Sequence, residues 1–266
     1  MIIIGEKINS TLKAVRPAIE SYDKETIVSL AQKQTEAGAS FLDINAGMFY
    51  AEEAQRLVWL VNTIQEVSKL PFTIDSPSAV AIEAALKANK NPTPMLNSIT
   101  DEKERYDTML PLIKEYKTKV IALCMDDTGM PETAEGRFAI GSRLIDKLTK
   151  AGVNISDIFI DPLVRPVSTG SHYGVAAIET IRNIKKEYPE AHIACGLSNV
   201  SFGLPVRKLI NQSFLIAAIA AGMDGAILDP LDKNMMRFIW ASEALMGIDD
   251  YCVDYLGKYR EGLLEN

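Results

Sequence analysis

Three stretches of the chain follow one pattern: EAGASFLDINAG (residues 36–47), KAGVNISDIFIDPL (residues 150–163) and AAGMDGAILDPL (residues 220–231). In each, a helical segment ends at Ala-Gly, and a short loop leads into an apolar strand that carries Asp near its end. A glycine at that point suits the left-handed conformation that turns a helix back toward the next strand. The pattern predicts a domain in which helices and strands alternate. The glycines are Gly38, Gly152 and Gly222.

Apolar runs of strand length occur eight times, and helical periodicity separates them, for example over Thr26–Ala37 and Gly141–Lys150. Continuous apolar strands between helices indicate a buried parallel sheet. Eight such units in 266 residues favour a closed (β/α)8 TIM barrel over an open doubly wound sheet. A helical pattern from Met235 onward is expected to complete the outer ring. The predicted strands are Ile2–Ile4, Ser40–Ile44, Phe72–Ile74, Thr93–Leu96, Lys119–Cys124, Asp157–Ile160, His192–Cys195 and Ala226–Leu228.

Composition limits the classes of function. The chain has 28 basic and 35 acidic side chains and a net charge of -7, which argues against a nucleic-acid-binding or anionic-membrane surface. No apolar run approaches the roughly 18 residues of a membrane span, and the N-terminus reads as a strand rather than a signal peptide. Three widely spaced cysteines form neither a disulfide framework nor a zinc signature. We expect a cytoplasmic protein with one domain over residues 1–266.

Polar residues follow nearly every predicted strand. In such barrels the functional groups lie where strands end, because the following loops share one mouth. Structural roles also fit some of them: Asp75 and Asp101 as helix N-caps, and Asp229 as the start of a turn before Pro230. The strand-end residues are Glu6, Asn9, Asp43, Asn45, Asp75, Asn97, Ser98, Asp126, Asp127, Asp161, Ser198, Asn199 and Asp229.

The residue types in this mouth limit the kinds of catalytic site and of ligand that the barrel can have. His192 begins a strand and is expected to be structural, while His172 lies in a loop, so nucleophilic triads and three-histidine metal sites have no support. Cys124 and Cys195 lie inside apolar strands as core residues, and no phosphate-binding motif is present. A carboxylate accepts two parallel N–H bonds from an amino-pyrimidinone edge, and an amide both donates and accepts. That combination fits a pterin.

Six strings follow one another in order along the chain: GEKIN (5–9), LDINAG (42–47), TIDSPS (73–78), MLNS (95–98), FIDPL (159–163) and GLSNVSFGLPVR (196–207). In this order they resemble the methyltetrahydrofolate:corrinoid methyltransferases, the pterin-binding, dihydropteroate synthase-like barrels of acetogens and related anaerobes. The resemblance covers essentially the whole chain and implies a stand-alone enzyme. It implies tetrahydrofolate or 5-methyltetrahydrofolate as substrate, a corrinoid (cobalamin) on a separate protein that docks transiently at the mouth, and a homodimer.

The resemblance also assigns roles to residues. Asp75, Asn97 and Asp161 match the positions that hold the pyrimidine edge of the pterin. Asn199 matches a mobile residue whose amide approaches N5 and the methyl group, where it can stabilise the transition state but cannot act as an acid. Asn199 is therefore the expected catalytic residue, with Asp161 as a further one through a proton network.

Other matched positions line the pocket. Gly196 and Ser198 would line the pterin floor, and Arg207 matches a position near the aminobenzoate–glutamate tail, where a guanidinium can meet a carboxylate. The family pattern has an amide side chain at the position of Phe202, so this residue departs from the pattern. The loop Ser168–Tyr173 departs from it as well. The expected substrate-binding set is completed by Glu6, Asp43 and Asn45.

The implied reaction transfers a methyl group between folate N5 and cobalt. Departures from the acetogen pattern favour transfer from methylcorrinoid to tetrahydrofolate in a demethylating system, over donation to a corrinoid iron-sulfur protein. Two further alternatives are dihydropteroate synthase, whose N-V-T-P-D-S-F and S-R-x-x-H elements have no counterpart here, and a folate-binding module without chemistry. The apolar stretch Phe214–Ala221 is either a subunit interface or a buried barrel helix.

Overall fold

The computed structural model describes residues 1–265, which form eight strands in one parallel sheet. Along the sheet the order is β7-β6-β5-β4-β3-β2-β1-β8. Strands β7 and β8 meet through a single bridge between Gly196 and Ile227, with the Ile227 N–H donating to the Cys195 carbonyl at 2.9 Å. The predicted (β/α)8 barrel is confirmed and is nearly closed. The strands are β1 (Ile2–Asn9), β2 (Phe41–Asn45), β3 (Phe72–Asp75), β4 (Met95–Asp101), β5 (Lys119–Asp126), β6 (Ile158–Asp161), β7 (His192–Ile193) and β8 (Gly225–Leu228).

Helices cover the outside of the sheet. Gly38, Gly152 and Gly222 have φ values of +93°, +94° and +110°, as predicted for residues that end helices before a strand. In the described part of the chain, four short 3-10 segments lie between the longer elements. Within residues 1–265 the α-helices are α1 (Arg16–Glu20), α2 (Lys24–Glu36), α3 (Glu53–Ile64), α4 (Ala79–Ala88), α5 (Lys103–Tyr116), α6 (Ala134–Lys150), α7 (Tyr173–Glu187), α8 (Arg207–Ala221), α9 (Lys233–Leu245) and α10 (Val253–Arg260).

A small apolar cluster fills the inside of the barrel, separate from the larger core between sheet and helices. Burial of a large side chain such as Phe41 or Phe159 stabilises the fold by about 2 kcal/mol. Because side chains on a strand alternate between its two faces, the residue two positions further along each strand points to the same interior. The apolar cluster is therefore the floor of the mouth. Its members are Ile4, Phe41, Met95, Ile121, Phe159 and Ala194.

The opposite end of the barrel is structural. His192 begins β7, its Nδ1 lies 2.9 Å from Asp224 Oδ2, and its ring stacks on Phe159. Lys185 Nζ and the Ile193 N–H also donate to Asp224, at 2.7 and 2.8 Å. The structural role expected for His192 is confirmed.

Two further predictions concern burial. Cys124 and Cys195 are fully buried in the core, as expected. Of the stretch Phe214–Ala221, which lies in α8, Phe214, Leu215, Ala218, Ile219 and Ala221 are buried, so the buried-helix alternative holds. Among residues 1–265, no helix is both long and apolar enough to cross a bilayer.

Four strand ends differ from the predicted ones by two residues or more: β1 ends at Asn9 and not Ile4, β4 at Asp101 and not Leu96, β5 at Asp126 and not Cys124, and β7 at Ile193 and not Cys195. Strand β7 was expected to reach Cys195 but ends at Ile193, because a 3-10 turn over Leu197–Ser201 follows closely after Gly196. Strand β1 runs on to Asn9, past the predicted end at Ile4, because its second half still pairs with β2.

Candidate active site

The mouth of the barrel begins two residues above its apolar floor. The interior positions that follow Ile4, Phe41, Met95 and Phe159 by two residues are held by Glu6, Asp43, Asn97 and Asp161. The corresponding position after Ala194 is Gly196. Strand alternation thus brings expected site residues from five strands or strand ends to one level.

Asn45 and Asp75 form the next pair at this end. They are register partners on β2 and β3, and Asn45 Nδ2 donates to Asp75 Oδ2 at 2.9 Å. The side-chain oxygen Asn45 Oδ1 accepts bonds from Ser10 Oγ at 2.8 Å and from the Gly47 N–H at 3.1 Å. These two donors orient the amide, so its N–H group faces the carboxylate. Asn97 is in turn the register partner of Asp75 on β4.

Asp43 is the most buried carboxyl group of the mouth, with 2% of its surface exposed. Its Oδ1 has no hydrogen-bond partner among the residues that the structure describes. Burial and the neighbouring Asp75 raise the pKa of Asp43 well above its ordinary value, while the Asn97 side chain opposes that shift. Burial and the neighbouring charge therefore favour the protonated form of Asp43.

The other carboxyl groups of the mouth also have raised pKa values. Burial raises the pKa of Asp75 to about 6, against the hydrogen bond from Asn45 and the charge of Arg105. Burial raises the pKa of Asp161 to about 7, although the Leu163 N–H donates to its Oδ1 at 2.7 Å. Burial and the charge of Asp229 raise the pKa of Glu6 to about 7. Groups that titrate near neutrality can take up or release protons during a reaction.

The segment between β7 and α8 closes one side of the mouth. A Cβ atom on Gly196 would lie 3.1 Å from Asn199 Nδ2, so a side chain there would displace the amide. Asn199 itself is exposed within the 3-10 turn Leu197–Ser201. Arg207 folds back onto this segment: its Nη2 donates to the Ser198 carbonyl at 2.6 Å and its Nε to Ser201 Oγ at 3.0 Å. The guanidinium also lies 5.9 Å from the ring centre of Phe202.

Some strand-end residues serve the scaffold instead. Asp126 Oδ2 accepts a bond from Arg143 at 2.6 Å, and Asp127 accepts the Lys103 N–H that opens α5. Asn9 bonds within its own turn, through the Thr11 N–H at 2.9 Å. Their side chains are occupied in pairing and capping, so we exclude these three from the site.

The structure tests the helix-capping and turn roles that the sequence offered for Asp75, Asp101 and Asp229. The N-cap interpretation is wrong for Asp75, because Ser78 caps α4 by accepting the Ala81 N–H at 3.3 Å. It is wrong for Asp101, which is buried in β4 and pairs with Arg143 and Lys147. The turn interpretation is confirmed for Asp229, whose Oδ1 accepts the Leu231 N–H at 3.0 Å.

Three basic residues near the mouth were not predicted. Lys7 Nζ pairs with Asp229 at 2.9 Å, and the charges of Arg105 and Arg137 act on Asp75 and Asp161. Lys7 sits inside the GEKIN string, where its position directly after Glu6 was the available signal. Arg105 and Arg137 lie on helices, and nothing in their local sequence marks them. Within residues 1–265, no cluster of three or more His, Cys, Asp or Glu side chains is arranged to hold a metal ion.

Comparison with known proteins agrees with this geometry. The model of the family described as pterin binding enzymes matches residues 6–229. The chain is 37% identical over 264 residues to the methylcorrinoid:tetrahydrofolate methyltransferase of Eubacterium limosum, covering 98% of this chain and 97% of that protein. It is 31% identical over 241 residues to the methionine synthase of Mycobacterium tuberculosis, covering 86% of this chain and 20% of that protein.

Solved structures share the fold. A dihydropteroate synthetase with a product superposes with a TM-score of 0.70 over 91% of this chain and 94% of that chain, at 14% identity. The Yersinia pestis dihydropteroate synthase gives 0.65 over 92% of each chain, also at 14% identity. At that identity the likeness establishes the barrel and no more. From the family model and the full-length relative together, the chain belongs to the pterin-binding enzymes and, among them, to the methyltetrahydrofolate:corrinoid methyltransferase family.

Proposed function

We propose that this protein is a methyltransferase that moves a methyl group from the cobalt of a separate corrinoid protein to N5 of tetrahydrofolate. The observation that carries the proposal is the 37% identity, over 98% of the chain, to an enzyme named for that reaction. The whole chain, residues 1–266, would act as one pterin-binding domain in the cytoplasm. The corrinoid protein would dock transiently over the mouth.

The mouth offers the groups that a pterin needs. Asp75, Asn97 and Asp161 would bind the pyrimidine edge, since ionised carboxylates accept paired N–H bonds and an amide complements ring nitrogen and oxygen atoms. Their support is geometric: Asp75 and Asn97 are register partners, and Asp161 lies at the interior level of Asn97 on β6. Glu6, Asp43 and Asn45 would form the inner wall of the pocket.

Methyl transfer in this direction releases a proton. The N5 lone pair attacks the methyl carbon, the cobalt–carbon bond breaks with both electrons staying on cobalt, and N5 loses its hydrogen as H⁺. A base with a pKa near the working pH suits that step. Glu6 and Asp161, whose pKa values are raised to about 7, meet this requirement, and we propose that Asp161, while it binds the pyrimidine edge, takes part in the proton network that removes the N5 proton.

Asn199 would stabilise the reacting nitrogen. Its amide has no accessible proton at neutral pH, so its contribution is a hydrogen bond that strengthens as charge develops on N5. Gly196 would leave room for that amide to move, and Ser198 would line the pterin floor. Arg207 and Phe202 would meet the carboxylate and the aromatic ring of the folate tail.

We propose a homodimer as the assembly. Because Phe214–Ala221 is mostly buried, we place the interface elsewhere. The last two helices and the turn between them expose large apolar side chains, a composition typical of subunit interfaces. Light scattering during size-exclusion chromatography should give twice the chain mass of 29.3 kDa. A monomer would contradict the assembly but not the reaction. The exposed residues are Leu245, Ile248, Tyr251, Val253, Leu256 and Tyr259.

The test of function is an absorbance assay in which purified protein, methylcobalamin and tetrahydrofolate are mixed and demethylation of cobalt is followed. We expect conversion, with Asn199→Ala lowering the rate about 100-fold while folate affinity changes less than about twofold. Asn183→Ala, an exposed amide on α7, is the matched control and should behave like wild type.

Three outcomes would count against parts of the proposal. An affinity loss without a rate loss in Asn199→Ala contradicts the transition-state role. Folate binding without conversion, repeated when a methylated corrinoid protein replaces methylcobalamin, contradicts catalysis. Absence of folate binding by the wild type contradicts the function as a whole.

A further inference from the structure

Arg105, in the first turn of α5, makes three hydrogen bonds to backbone carbonyls. Its Nε donates to Ser98 O at 2.9 Å, its Nη2 donates to Ser76 O at 2.9 Å, and its Nη1 donates to Pro77 O. A cation near a helix N-terminus is opposed by the helix dipole. Helix propensity therefore does not account for this residue, and its tertiary contacts do.

The three carbonyls belong to the segments that carry two site residues. Ser76 and Pro77 directly follow Asp75 at the end of β3, and Ser98 directly follows Asn97 in β4. The Ser76 N–H also donates to the Asn97 carbonyl at 3.1 Å. One planar guanidinium thus fixes the backbone behind both side chains at once, which an ammonium group has no geometry to do.

We propose that Arg105 is a positioning residue of the pterin pocket, which sets the separation and orientation of Asp75 and Asn97. The inference rests on the proposed function, because it assigns these two side chains to the pyrimidine edge. The three hydrogen bonds of Arg105 are to backbone carbonyls, so it acts through the two residues in front of it.

Arg105 also acts on the ionisation of Asp75. The groups that face Asp75 from the neighbouring elements are Asp43 from β2, Glu53 from α3 and Arg105 from α5. Ser76 Oγ donates a hydrogen bond to Glu53 Oε1 at 2.6 Å, which holds Glu53 at the end of β3. Burial and the charge of Glu53 favour the protonated form of Asp75, while the Asn45 hydrogen bond and the charge of Arg105 oppose it. Removal of its charge must raise the pKa of Asp75.

The experiment compares Arg105→Met, Arg105→Lys and Arg143→Met. Arg143 pairs with Asp101 and Asp126 on the outside of the barrel and is the matched control. Tetrahydrofolate affinity is titrated from about pH 5.5 to about pH 8.5, together with the rate of methyl transfer and the melting temperature. At neutral pH we expect Arg105→Met to bind about tenfold more weakly and its binding midpoint to move to higher pH. Arg105→Lys should bind more weakly with an unchanged midpoint, and Arg143→Met should change neither.

The outcomes separate the two proposals. If the wild type does not bind tetrahydrofolate, both the proposed function and the assignment of Arg105 are contradicted. If the wild type binds and Arg105→Met has the same affinity and midpoint, only the assignment of Arg105 is overturned. If Arg105→Met does not fold, Arg105→Lys decides, because unchanged affinity there also overturns the positioning role.

Discussion

In two regions of the mouth, which we call the Asp75 corner and the Asp161 corner, an arginine lies behind a carboxylate. The two arginines differ in burial and in their hydrogen-bond partners. Arg105 lies behind Asp75 and Arg137 behind Asp161, each in the first turn of the helix after a strand. Arg105 is half-buried and has three carbonyl partners. Arg137 is fully buried, and its Nε donates to Pro131 O at 3.1 Å. Its Nη1 and Nη2 have no hydrogen-bond partner within residues 1–265.

The difference separates geometry from electrostatics. At the Asp75 corner the arginine fixes two backbone segments, and its charge is a second effect. At the Asp161 corner the arginine fixes little, but as a dehydrated cation it opposes the burial that raises the pKa of Asp161 to about 7. The first arginine should therefore matter for stability and pocket shape, and the second for the protonation state of its carboxylate.

The largest expected effect is on ligand binding. Asp75→Ala and Asp161→Ala should each weaken tetrahydrofolate binding by about 2 kcal/mol, roughly 30-fold, because each leaves buried pterin N–H groups without an acceptor. Isothermal titration at pH 8, where both carboxylates are ionised, measures this. Asp107→Ala, an exposed carboxylate on α5, is the control. Unchanged binding in both variants would mean that the pocket lies elsewhere, and an effect in only one would break the symmetry of the two corners.

The second effect is on stability and distinguishes the two arginines directly. Arg105→Met should lower the free energy of unfolding by about 2 kcal/mol, because three hydrogen bonds to backbone carbonyls are lost. Arg137→Met should stay within about 1 kcal/mol of wild type or exceed it, because an apolar side chain of similar length replaces a buried cation with few partners. Urea unfolding followed by circular dichroism tests the pair, and equal losses would contradict the distinction.

Arg137→Met should nevertheless impair function. Without the guanidinium, the pKa of Asp161 must rise further, so less of it is ionised at neutral pH. Folate affinity at pH 7 should therefore fall in a variant whose stability is nearly that of wild type. A loss of folate affinity without a loss of stability would not arise if Arg137 had a purely structural role.

The same contrast explains what the sequence could predict. Asp43, Asn97 and Asp161 were predictable because they lie at the ends of predicted strands, where the loops of such a barrel share one mouth. Asp126 also ends a strand, but its side chain meets Arg143 on α6, a contact set by helix packing that no local pattern encodes. Arg105 was missed for the same reason, since its partners are carbonyls of segments 7 to 29 residues away along the chain.

The smallest expected effect is the pH dependence of binding, which shows which of the two carboxylates, Asp161 or Asp75, is protonated first as pH falls. Folate binding needs ionised carboxylates, so affinity is lost as pH falls, first through the pKa of Asp161 at about 7 and then through that of Asp75 at about 6. Asp161→Asn should leave only the lower step and Asp75→Asn only the upper one. Glu6, whose pKa is also about 7, is controlled by Glu6→Gln, which should retain both steps.

Stability of the ligand-free protein should follow pH in the opposite direction. These carboxyl groups have higher pKa values folded than in an unfolded chain, where Asp and Glu titrate near 4, so the folded state binds more protons between about pH 4 and pH 7. Their contribution to stability is therefore present below that range and lost as pH rises through the folded pKa values. Melting temperatures without folate should fall from about pH 5 to pH 8 while folate affinity rises. If neither changed over that range, the carboxylates of the mouth would have ordinary pKa values, and neither arginine would be needed to keep them ionised.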